Sequence, residues 1–518
     1  MEQELHRVEG PTPFSRSKLW QFNRDFYVNK GLSAFSQDLV PHHLTSNSLV
    51  GITYAKMIFG FLQDRASLGQ DTEVVHIVEL GAGHGRLGFF ILTELDKLVK
   101  HSTQSLPPYC YVLTDIVEEN LSFFQSHPQF KSFIERGLLD ISYFDAINSN
   151  NLHLKVSGRK LNREDLKQPL IAIANYFFDS IPSELFRVKN KTLFPCTISI
   201  QSTDKPQSSE TETVIANLQF EYQNVIQDGP MHSDPEINKL LESYKELSSD
   251  TYIFFPESAI KCIRNLKTLS SKGLFLLSID KGYHELKDLE NHQEPEVITH
   301  GSFSIWVNFH ALAAYCKLKG GQALFPTQSN FHMELMALSF LEKEIAPGHT
   351  QAVFRQTVEG FGPDDFKTLM KQAYTNVAQH SAMELLALYR LSSYDPTFFI
   401  KLSPRLKQVI KAITHKERRR LAQAMEQVWK SYFSIGEAYD LAFELGSIHY
   451  DLGYYQEALK YFDHSEELHG KKSDTYYNQV LCHYQLRQDR LFYKVLAEAK
   501  TEFPDATSLL KLEALEMI

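Results

Sequence analysis

The hydrophobic residues of the first 345 positions form short continuous runs that alternate with amphipathic segments. The runs are rich in β-branched residues and include EVVHIVEL, YCYVLTD, LLDISYFD, PLIAIANYFF and, further on, GLFLLSID. The segments between them, such as RLGFFILTELDKLVK and VEENLSFFQSH, have apolar residues at helical spacing. Apolar strands separated by helices are typical of a mostly parallel sheet that is covered on both faces. The pattern therefore predicts an α/β fold with a doubly wound, Rossmann-like sheet.

The pattern changes in three other regions. The first 70 residues are predicted to be helical, most clearly in SLVGITYAKMIFGFLQDRASLG. Between Phe194 and Val225, the alternating segments TISIQS and VIANLQFEY flank the polar stretch TDKPQSSETET, which indicates a β-hairpin inserted in the sheet domain. After about residue 345 the strand patterns end, and helical spacing continues to the C-terminus.

The final helical segment contains a repeat. LGSIHYDLGYYQEALKYFDHS and QVLCHYQLRQDRLFYKVLAEA align at an offset of 34 residues, and the first copy has small and aromatic residues at tetratricopeptide-repeat spacing. We therefore predict an all-α helical-repeat domain at the C-terminal end. The predicted divisions are an N-terminal helical region at 1–70, the sheet domain at 71–345, a helical connecting region at 346–436 and the repeats at 437–518.

Charge and cysteine usage limit the classes of function. The formal net charge of -10 argues against broad binding of nucleic acid or anionic membranes, since phosphates attract an excess of Lys and Arg. Between Lys401 and Arg420 the chain is locally basic, which fits either a solvated helix surface or a contact site. The five cysteines are scattered, and no apolar run is long enough for a signal or membrane segment, so we expect the reducing cytoplasm. His42 and His43 are adjacent and no carboxylate is suitably spaced, so we predict no metal.

Two overlapping glycine patterns follow the first apolar strand and indicate different cofactors. Gly83-x-Gly85-x-x-Gly88 has the spacing of a dinucleotide fingerprint, whereas Glu79-x-Gly81-x-Gly83-x-Gly85 is the pattern by which many methyltransferases hold S-adenosylmethionine. The apolar run ends at Leu80, which makes Gly81 the first residue of the turn.

The position of this turn favours S-adenosylmethionine over NAD. Counted from Gly81, a dinucleotide fingerprint needs a third glycine at the position that Arg86 occupies. A charged Glu79 at the end of a buried strand also needs a partner. The sulfonium and amino groups of S-adenosylmethionine are cationic, whereas a pyrophosphate would be repelled.

Polar residues at the ends of the later strands complete the predicted cofactor site. Asp115 ends the second strand and can accept hydrogen bonds from the ribose hydroxyls, although a helix N-cap role fits equally. Asp145 can receive the adenine amino group with Ala146 beside the ring, or it can be an ordinary turn residue. The residues predicted to bind the cofactor are Glu79, Gly81, Ala82, Gly83, Gly85, Asp115, Ile116, Asp145, Ala146 and Asn175.

The fourth strand runs into IANYFFDSIPSELF, which carries the candidate catalytic residues. Asn175, Asp179 and Glu184 follow the carboxyl end of the strand, where open α/β sheets bind ligands. We assign Asn175 to the methionine end of the cofactor. Asp179 is the first candidate for orienting the methyl acceptor and Glu184 the second, while Asp179 could instead cap a turn.

Several of these segments resemble a known family. VELGAGHGRLG, LTDIVEENLSFF and IANYFFDSIPSELFRV are similar to the MidA-type S-adenosylmethionine-dependent methyltransferases, whose mitochondrial members methylate a protein arginine during respiratory complex I assembly. Residues 175–182 reproduce the family's Asn-Glu-Phe-Phe-Asp-x-x-Pro segment, except that Tyr176 replaces Glu. LLSIDKGYHE is similar to the family's Ile-Asp-Tyr-Gly stretch, with Lys281 in place of Tyr. The resemblance covers about residues 30–345 and implies a class I methyltransferase fold.

Three functions are compatible with these features. The first is a protein methyltransferase, with arginine as the acceptor that the resemblance implies, whose repeats recruit the substrate or a partner. The second is a non-catalytic interaction scaffold with a methyltransferase-like domain that binds the cofactor. The third is methylation of a small molecule, which deletion of residues 437–518 would spare.

Overall fold

A computed structural model describes residues 5–43, 45–163, 165–203, 217–295, 298–300, 302–327, 333–341 and 348–512. The chain divides into two compact units, residues 1–365 and residues 366–518. Within the described residues, no helix is both long enough and apolar enough to span a lipid bilayer.

The strands all lie in the first unit. They are β1 (His6–Pro13), β2 (Val75–Leu80), β3 (Tyr109–Asp115), β4 (Leu139–Tyr143), β5 (Leu152–Leu154), β6 (Lys160–Leu161), β7 (Leu170–Asn175), β8 (Glu184–Lys189), β9 (Thr192–Ser202), β10 (Leu218–Asn224), β11 (Thr251–Phe255), β12 (Gly273–Tyr283), β13 (Ile298–His300), β14 (Ser302–Ser304), β15 (Val307–Asn308), β16 (Gln322–Leu324) and β17 (Met333–Leu341).

The α-helices extend over both units. They are α1 (Lys18–Lys30), α2 (Ser33–Ser36), α3 (Ser48–Ser67), α4 (Arg86–Lys100), α5 (Glu118–Ser126), α6 (Pro128–Glu135), α7 (Pro235–Ser243), α8 (Glu257–Leu269), α9 (Phe309–Leu318), α10 (Gly348–Phe354), α11 (Pro363–Thr375), α12 (Ala382–Leu391), α13 (Pro396–Val409), α14 (His415–Lys430), α15 (Leu441–Leu452), α16 (Tyr455–His469), α17 (Ser473–Gln485), α18 (Asp489–Glu502) and α19 (Thr507–Leu512).

The larger sheet has the strand order β16-β17-β12-β7-β2-β3-β4-β5-β6, with β15 paired to the end of β12. The five neighbours β12, β7, β2, β3 and β4 are parallel, whereas β17 runs antiparallel to β12. The predicted mostly parallel α/β sheet is therefore present. From β2 the chain continues through β3 and β4 on one side and then returns to β7 on the other side. The order reverses between β2 and β7, and this is the place where open sheets bind ligands beyond the carboxyl ends of their strands.

Burial on both faces explains why the central parallel strands appear in the sequence as nearly continuous apolar runs. All six residues of β2 are buried, and so are the first five of β7. A strand that is buried on both sides has no polar face, so its sequence does not alternate. Their side chains on one face join a hydrophobic core with residues of α8 and α9, and these are Val78, Leu80, Leu170, Ala172 and Ala174.

A second, antiparallel sheet has the order β1-β9-β8-β11, with β10 paired to β9. It contains the predicted hairpin as β9 and β10, whose register runs from Ser202 opposite Leu218 to Cys196 opposite Asn224. The tip of the hairpin at 204–216 lies outside the described residues. The hairpin is thus one part of a larger sheet.

The N-terminal region, predicted to be helical, contains α1, α2 and α3 but begins with a strand, because β1 pairs with β9. The segment HRVEGPTP contains glycine and two prolines, and its pairing has two register shifts. Such an irregular edge strand has neither helical nor alternating periodicity, so its sequence gave no strand signal.

In the second unit, described residues from Phe366 onward form helices and connecting turns. One hydrophobic core contains side chains from α12, α13, α14, α15 and α16. The division predicted at residue 436 therefore lies inside this core. Farther along, the Phe462 ring of α16 fits against Gly446 of α15, where an added Cβ would stand 2.6 Å from the ring.

The basic stretch belongs to α13, α14 and the turn between them. Two of its basic side chains have partners within the second unit. Lys407 forms an ion pair with Glu444, and Arg405 donates a hydrogen bond to the His380 carbonyl. Lys411, Lys416, Arg419 and Arg420 are exposed.

Candidate cofactor and active site

The glycine turn lies between β2 and α4. β2 ends at Leu80 as predicted, and Gly81, Gly83 and Gly85 have φ angles of 56°, 59° and 74°. L-residues rarely adopt such left-handed angles, so glycine fits each position. The turn is tied to β3, because the Ala82 N–H donates to the Thr114 carbonyl at 2.8 Å.

Glu79 is buried at the base of this turn. Its side chain is 2% exposed and accepts a hydrogen bond from the Tyr111 hydroxyl at 2.8 Å. Burial raises the pKa of Glu79 to about 8, with a further contribution from Asp115, while the Tyr111 hydrogen bond acts in the opposite direction. A cation beside Glu79 would favour its ionised form. The role of Glu79 opposite a cationic group of the cofactor stays a prediction.

Asp115 ends β3 and faces the same turn. One carboxylate oxygen accepts the Gly83 N–H at 2.9 Å, and the other accepts the Val117 N–H at 2.9 Å. The N-cap of α5 is Val117 rather than Asp115. Burial raises the pKa of Asp115, although these backbone hydrogen bonds oppose the shift.

A cavity of about 540 Å³ opens beyond the carboxyl ends of these strands. This volume is in the range of small-molecule and cofactor sites. It brings together most of the predicted site residues, which line it as follows: Glu79, Gly81, Ala82, Gly83, Asp115, Ile116, Asp145, Ala146, Asn175 and Asp179.

Asp145 and Ala146 follow β4 on one side of the cavity. The Asp145 carboxylate accepts hydrogen bonds from the Ile147 N–H and the Asn148 side chain, and it pairs with Arg24 at 3.1 Å. Burial alone would raise the pKa of Asp145, but these contacts lower it below its ordinary value. An ionised acceptor is thus held in the cavity wall, as a contact to an amino group requires.

Asn175 and Asp179 follow β7 on the other side. The Asn175 amide accepts from the Tyr54 hydroxyl at 3.4 Å and donates to the Thr45 carbonyl at 3.3 Å. Between them, Tyr176 has a left-handed φ of 47°, which is uncommon for a bulky residue. This kink places Asp179 in a short 3-10 turn, where it is 7% exposed.

Two predicted residues are not among those that line the cavity. Gly85 caps α4, and a Cβ there would stand 3.0 Å from the Phe124 ring. Glu184 begins β8, pairs with Phe255 of β11 and accepts a hydrogen bond from the Ser15 hydroxyl. Glu184 follows Pro182, the last residue of its segment that lines the cavity, although its partner Ser15 is a lining residue.

The N-terminal segment supplies a wall of the cavity that the sequence did not indicate. Tyr27, Phe35 and His42 line the cavity, and the His42 and His84 rings lie 4.7 Å apart, each edge-on to Phe35. No periodic or motif signal distinguishes these residues, since Tyr27 lies on α1, a helix of low amphipathicity, Phe35 lies on the one-turn helix α2, and His42 lies in an irregular segment.

A carboxylate lies beside His42 and His43, contrary to the expectation that none is suitably placed. Asp38 lies 3.0 Å from the His43 ring, and these two residues and His42 each offer one ligand atom within 4.8 Å of the others. The turn after α2 brings the carboxylate close although its spacing in the sequence did not suggest it. The absence of a metal stays a prediction.

Asp280 is a further candidate residue that the sequence analysis did not select. It lies in β12, next to β7, and its side chain is completely buried. The Asp179 N–H donates to its Oδ2 at 3.2 Å. The signal that could have found it is the run GLFLLSID, in which an acidic residue follows the apolar part of a buried strand.

Comparison with known proteins identifies the family. Residues 60–318, half of the chain, match the family described as "Putative S-adenosyl-L-methionine-dependent methyltransferase". The chain belongs to this family of methyltransferases. Its cofactor is S-adenosylmethionine, which confirms the choice made from the glycine turn.

Two solved structures from Burkholderia thailandensis are similar to this chain. One is an uncharacterized protein with 16% identity and a TM-score of 0.42, over 65% of this chain and 88% of that one. The other, a member of the same superfamily bound to S-adenosyl-homocysteine, has 14% identity and a TM-score of 0.41, over 65% and 89%. No curated protein matches the sequence significantly.

Proposed function

We propose that this chain transfers a methyl group from S-adenosylmethionine to a protein side chain. The supporting observation is that one cavity is lined by the glycine turn, by Glu79 and Asp115, and by Asp179. The sheet order also supports a class I, Rossmann-like, doubly wound methyltransferase fold. By resemblance to the MidA type, we propose arginine as the acceptor.

The residues around the glycine turn fit the cofactor. Glu79 is a buried carboxyl that a cation would ionise, and it suits the methionine end together with Asn175. Asp115 and Ile116 suit the ribose, and Asp145 and Ala146 suit the adenine. The methyl group of S-adenosylmethionine is activated by its sulfonium, so the enzyme must chiefly hold the acceptor in line with it.

Asp179 is the residue that we propose to orient the acceptor and take up its proton. It lines the cavity and its pKa is raised to about 7, chiefly by burial, so its basic form is present near neutral pH. Glu184, the second candidate, does not line the cavity. We therefore place Asp179 ahead of Glu184 for this role.

The helices of the second unit are proposed to recruit the substrate or a partner. Their consecutive pairs α15 with α16 and α17 with α18 pack against each other, as tetratricopeptide-like repeats do. The acidic net charge favours a protein partner over nucleic acid. All five cysteines are free thiols, which fits the cytoplasm that we propose.

The test is methyl transfer from radiolabelled S-adenosylmethionine to proteins of a cell extract, followed by mass spectrometry of the labelled residue. We expect Asp179→Asn to lose about a hundredfold or more in rate, the lower end of what a general base contributes. Glu184→Gln is the matched control and should transfer at the rate of the wild type. If both variants label proteins as the wild type does, the assignment of Asp179 is wrong.

The scaffold alternative makes a different prediction. It expects the cofactor to bind while no protein or small molecule is labelled by the wild type. Methylation of a small molecule would be indicated if a chain ending at residue 365 still binds the cofactor and keeps its full transfer activity. This end point follows the boundary between the two units, whereas a cut at residue 436 would open the core of the second unit.

A further inference from the structure

Two carboxyl groups are buried together at the acceptor end of the cavity. Asp179 is 7% exposed and Asp280 is 0% exposed. Asp280 accepts two backbone hydrogen bonds, one from the Asp179 N–H at 3.2 Å and one from the Lys281 N–H at 2.9 Å. It therefore joins the end of β12 to the turn that follows β7.

The groups around this pair come from several elements. Lys281 follows Asp280, and its charge lowers the pKa of both carboxyls against the larger effect of burial. Tyr27 of α1, Tyr54 of α3 and Tyr176 have hydroxyls whose pKa values are raised by burial and, further, by Asp280. On β17, Glu334 lies opposite Asp280 and pairs with His284 at 3.1 Å.

Two carboxylates in one water-poor site cannot both ionise at modest cost, so one of them keeps its proton. The deeper group, Asp280, has the greater desolvation and lies behind Asp179. Asp179 lines the cavity, and the charge of Lys281 and the side chain of Asp280 both lower its pKa against the larger effect of burial. The proton is therefore more stable on Asp280 than on Asp179.

We propose that Asp280 is the positioning residue of this site: it keeps a proton, donates it in a hydrogen bond to Asp179, and holds Asp179 as the ionised member facing the cavity. Both of its oxygens also accept hydrogen bonds from backbone N–H groups, which fix its orientation and lower its pKa, but by less than burial raises it. The orientation of Asp179 thus depends on a neutral partner behind it.

The catalytic consequence rests on the proposed function. The acceptor's lone pair forms the new bond to the methyl carbon, the carbon–sulfur bond breaks, and its electron pair stays on sulfur. The proton that the acceptor loses passes to Asp179 and from there to water. Asp280 keeps its own proton throughout and does not contact the reacting atoms.

The test is a titration of the full chain labelled with carbon-13 at the aspartate carboxyl, followed by NMR without cofactor. Asp179→Asn identifies the transition of Asp179, which we expect near pH 7. Asp280→Asn retains a neutral donor of the same shape, so this transition should stay within about one pH unit of the wild type. Asp280→Leu removes the hydrogen bond and should raise the transition by about one unit or more.

Two outcomes contradict the inference. A fall of more than about one unit in Asp280→Asn would mean that Asp280 is ionised in the wild type. If Asp280→Asn does not fold, because its amide keeps only one of the two oxygens that accept N–H groups, the transition in Asp280→Leu decides the question alone. An unchanged transition in Asp280→Leu would show that Asp280 does not position Asp179. Because neither cofactor nor acceptor is present, failure of the methyltransferase proposal would leave this readout intact.

Discussion

Replacing Gly83 by alanine tests whether the glycine turn forms the cofactor site. Gly83 has a φ of 59°, and a Cβ there would stand 2.9 Å from the Phe35 ring. An L-residue in the left-handed region costs about 1–2 kcal/mol. Gly137 offers a matched control, since its φ is 70° and no heavy atom of the described chain lies within 4 Å of its added Cβ.

Both variants should therefore lose about 1–2 kcal/mol of unfolding free energy, the cost of the backbone conformation. Only Gly83→Ala also displaces Phe35, which lines the cavity together with Gly83. We expect its affinity for S-adenosylhomocysteine to fall at least tenfold, or about 1.4 kcal/mol, whereas Gly137→Ala should bind as the wild type does.

Urea unfolding measures the first quantity, and isothermal titration calorimetry with S-adenosylhomocysteine measures the second. The comparison separates a local effect on the site from a general loss of stability, because the conformational cost is common to both variants. The reasoning is refuted if Gly83→Ala binds with unchanged affinity, or if Gly137→Ala weakens binding equally.

Two further predictions concern burial at other positions. Because the folded pKa of Glu79 is about 8, above its ordinary value, its contribution to stability is complete below the ordinary pKa and is lost as pH rises through about 8. In urea titrations, the unfolding free energy of Glu79→Gln should therefore fall less between pH 5 and pH 8 than that of the wild type. The variant should also bind the cofactor more weakly at pH 8. If its unfolding free energy falls with pH as steeply as that of the wild type, this prediction is wrong. Gly446→Ala should destabilise the second unit by about 1–3 kcal/mol, because the Cβ meets the Phe462 ring at 2.6 Å. Unfolding of Gly446→Ala with and without Phe462→Leu checks this, and the account fails if the second substitution does not recover stability.

The parallel sheet was predictable because its strands are buried on both sides. β2 and β7 are almost wholly buried and mostly apolar, and a glycine or a polar residue marks the point where each strand ends. The same rule correctly indicated that the residues after these strands share one edge of the sheet. The irregular strand β1 was missed, because bulges and prolines remove any periodic pattern.

The cavity was predicted only where its wall follows strand ends. Tyr27, Phe35 and His42 come from the N-terminal segment, and their approach depends on tertiary packing that no local pattern records. Glu184 was selected by its distance along the chain from β7, but Pro182 is the last residue of its segment that lines the cavity, and the chain then enters β8. Asp280 was not predicted as a site residue, because its hydrogen-bond partner Asp179 lies 101 positions away in the sequence.

The most direct test of the central claim is calorimetric titration of the full chain with S-adenosylmethionine, S-adenosylhomocysteine and NAD. The account predicts that the first two bind, with one molecule per chain, and that NAD does not. Binding of NAD instead would mean that the turn after β2 holds a dinucleotide. Failure of all three to bind would contradict a working cofactor site formed by Glu79, the glycine turn and Asp115.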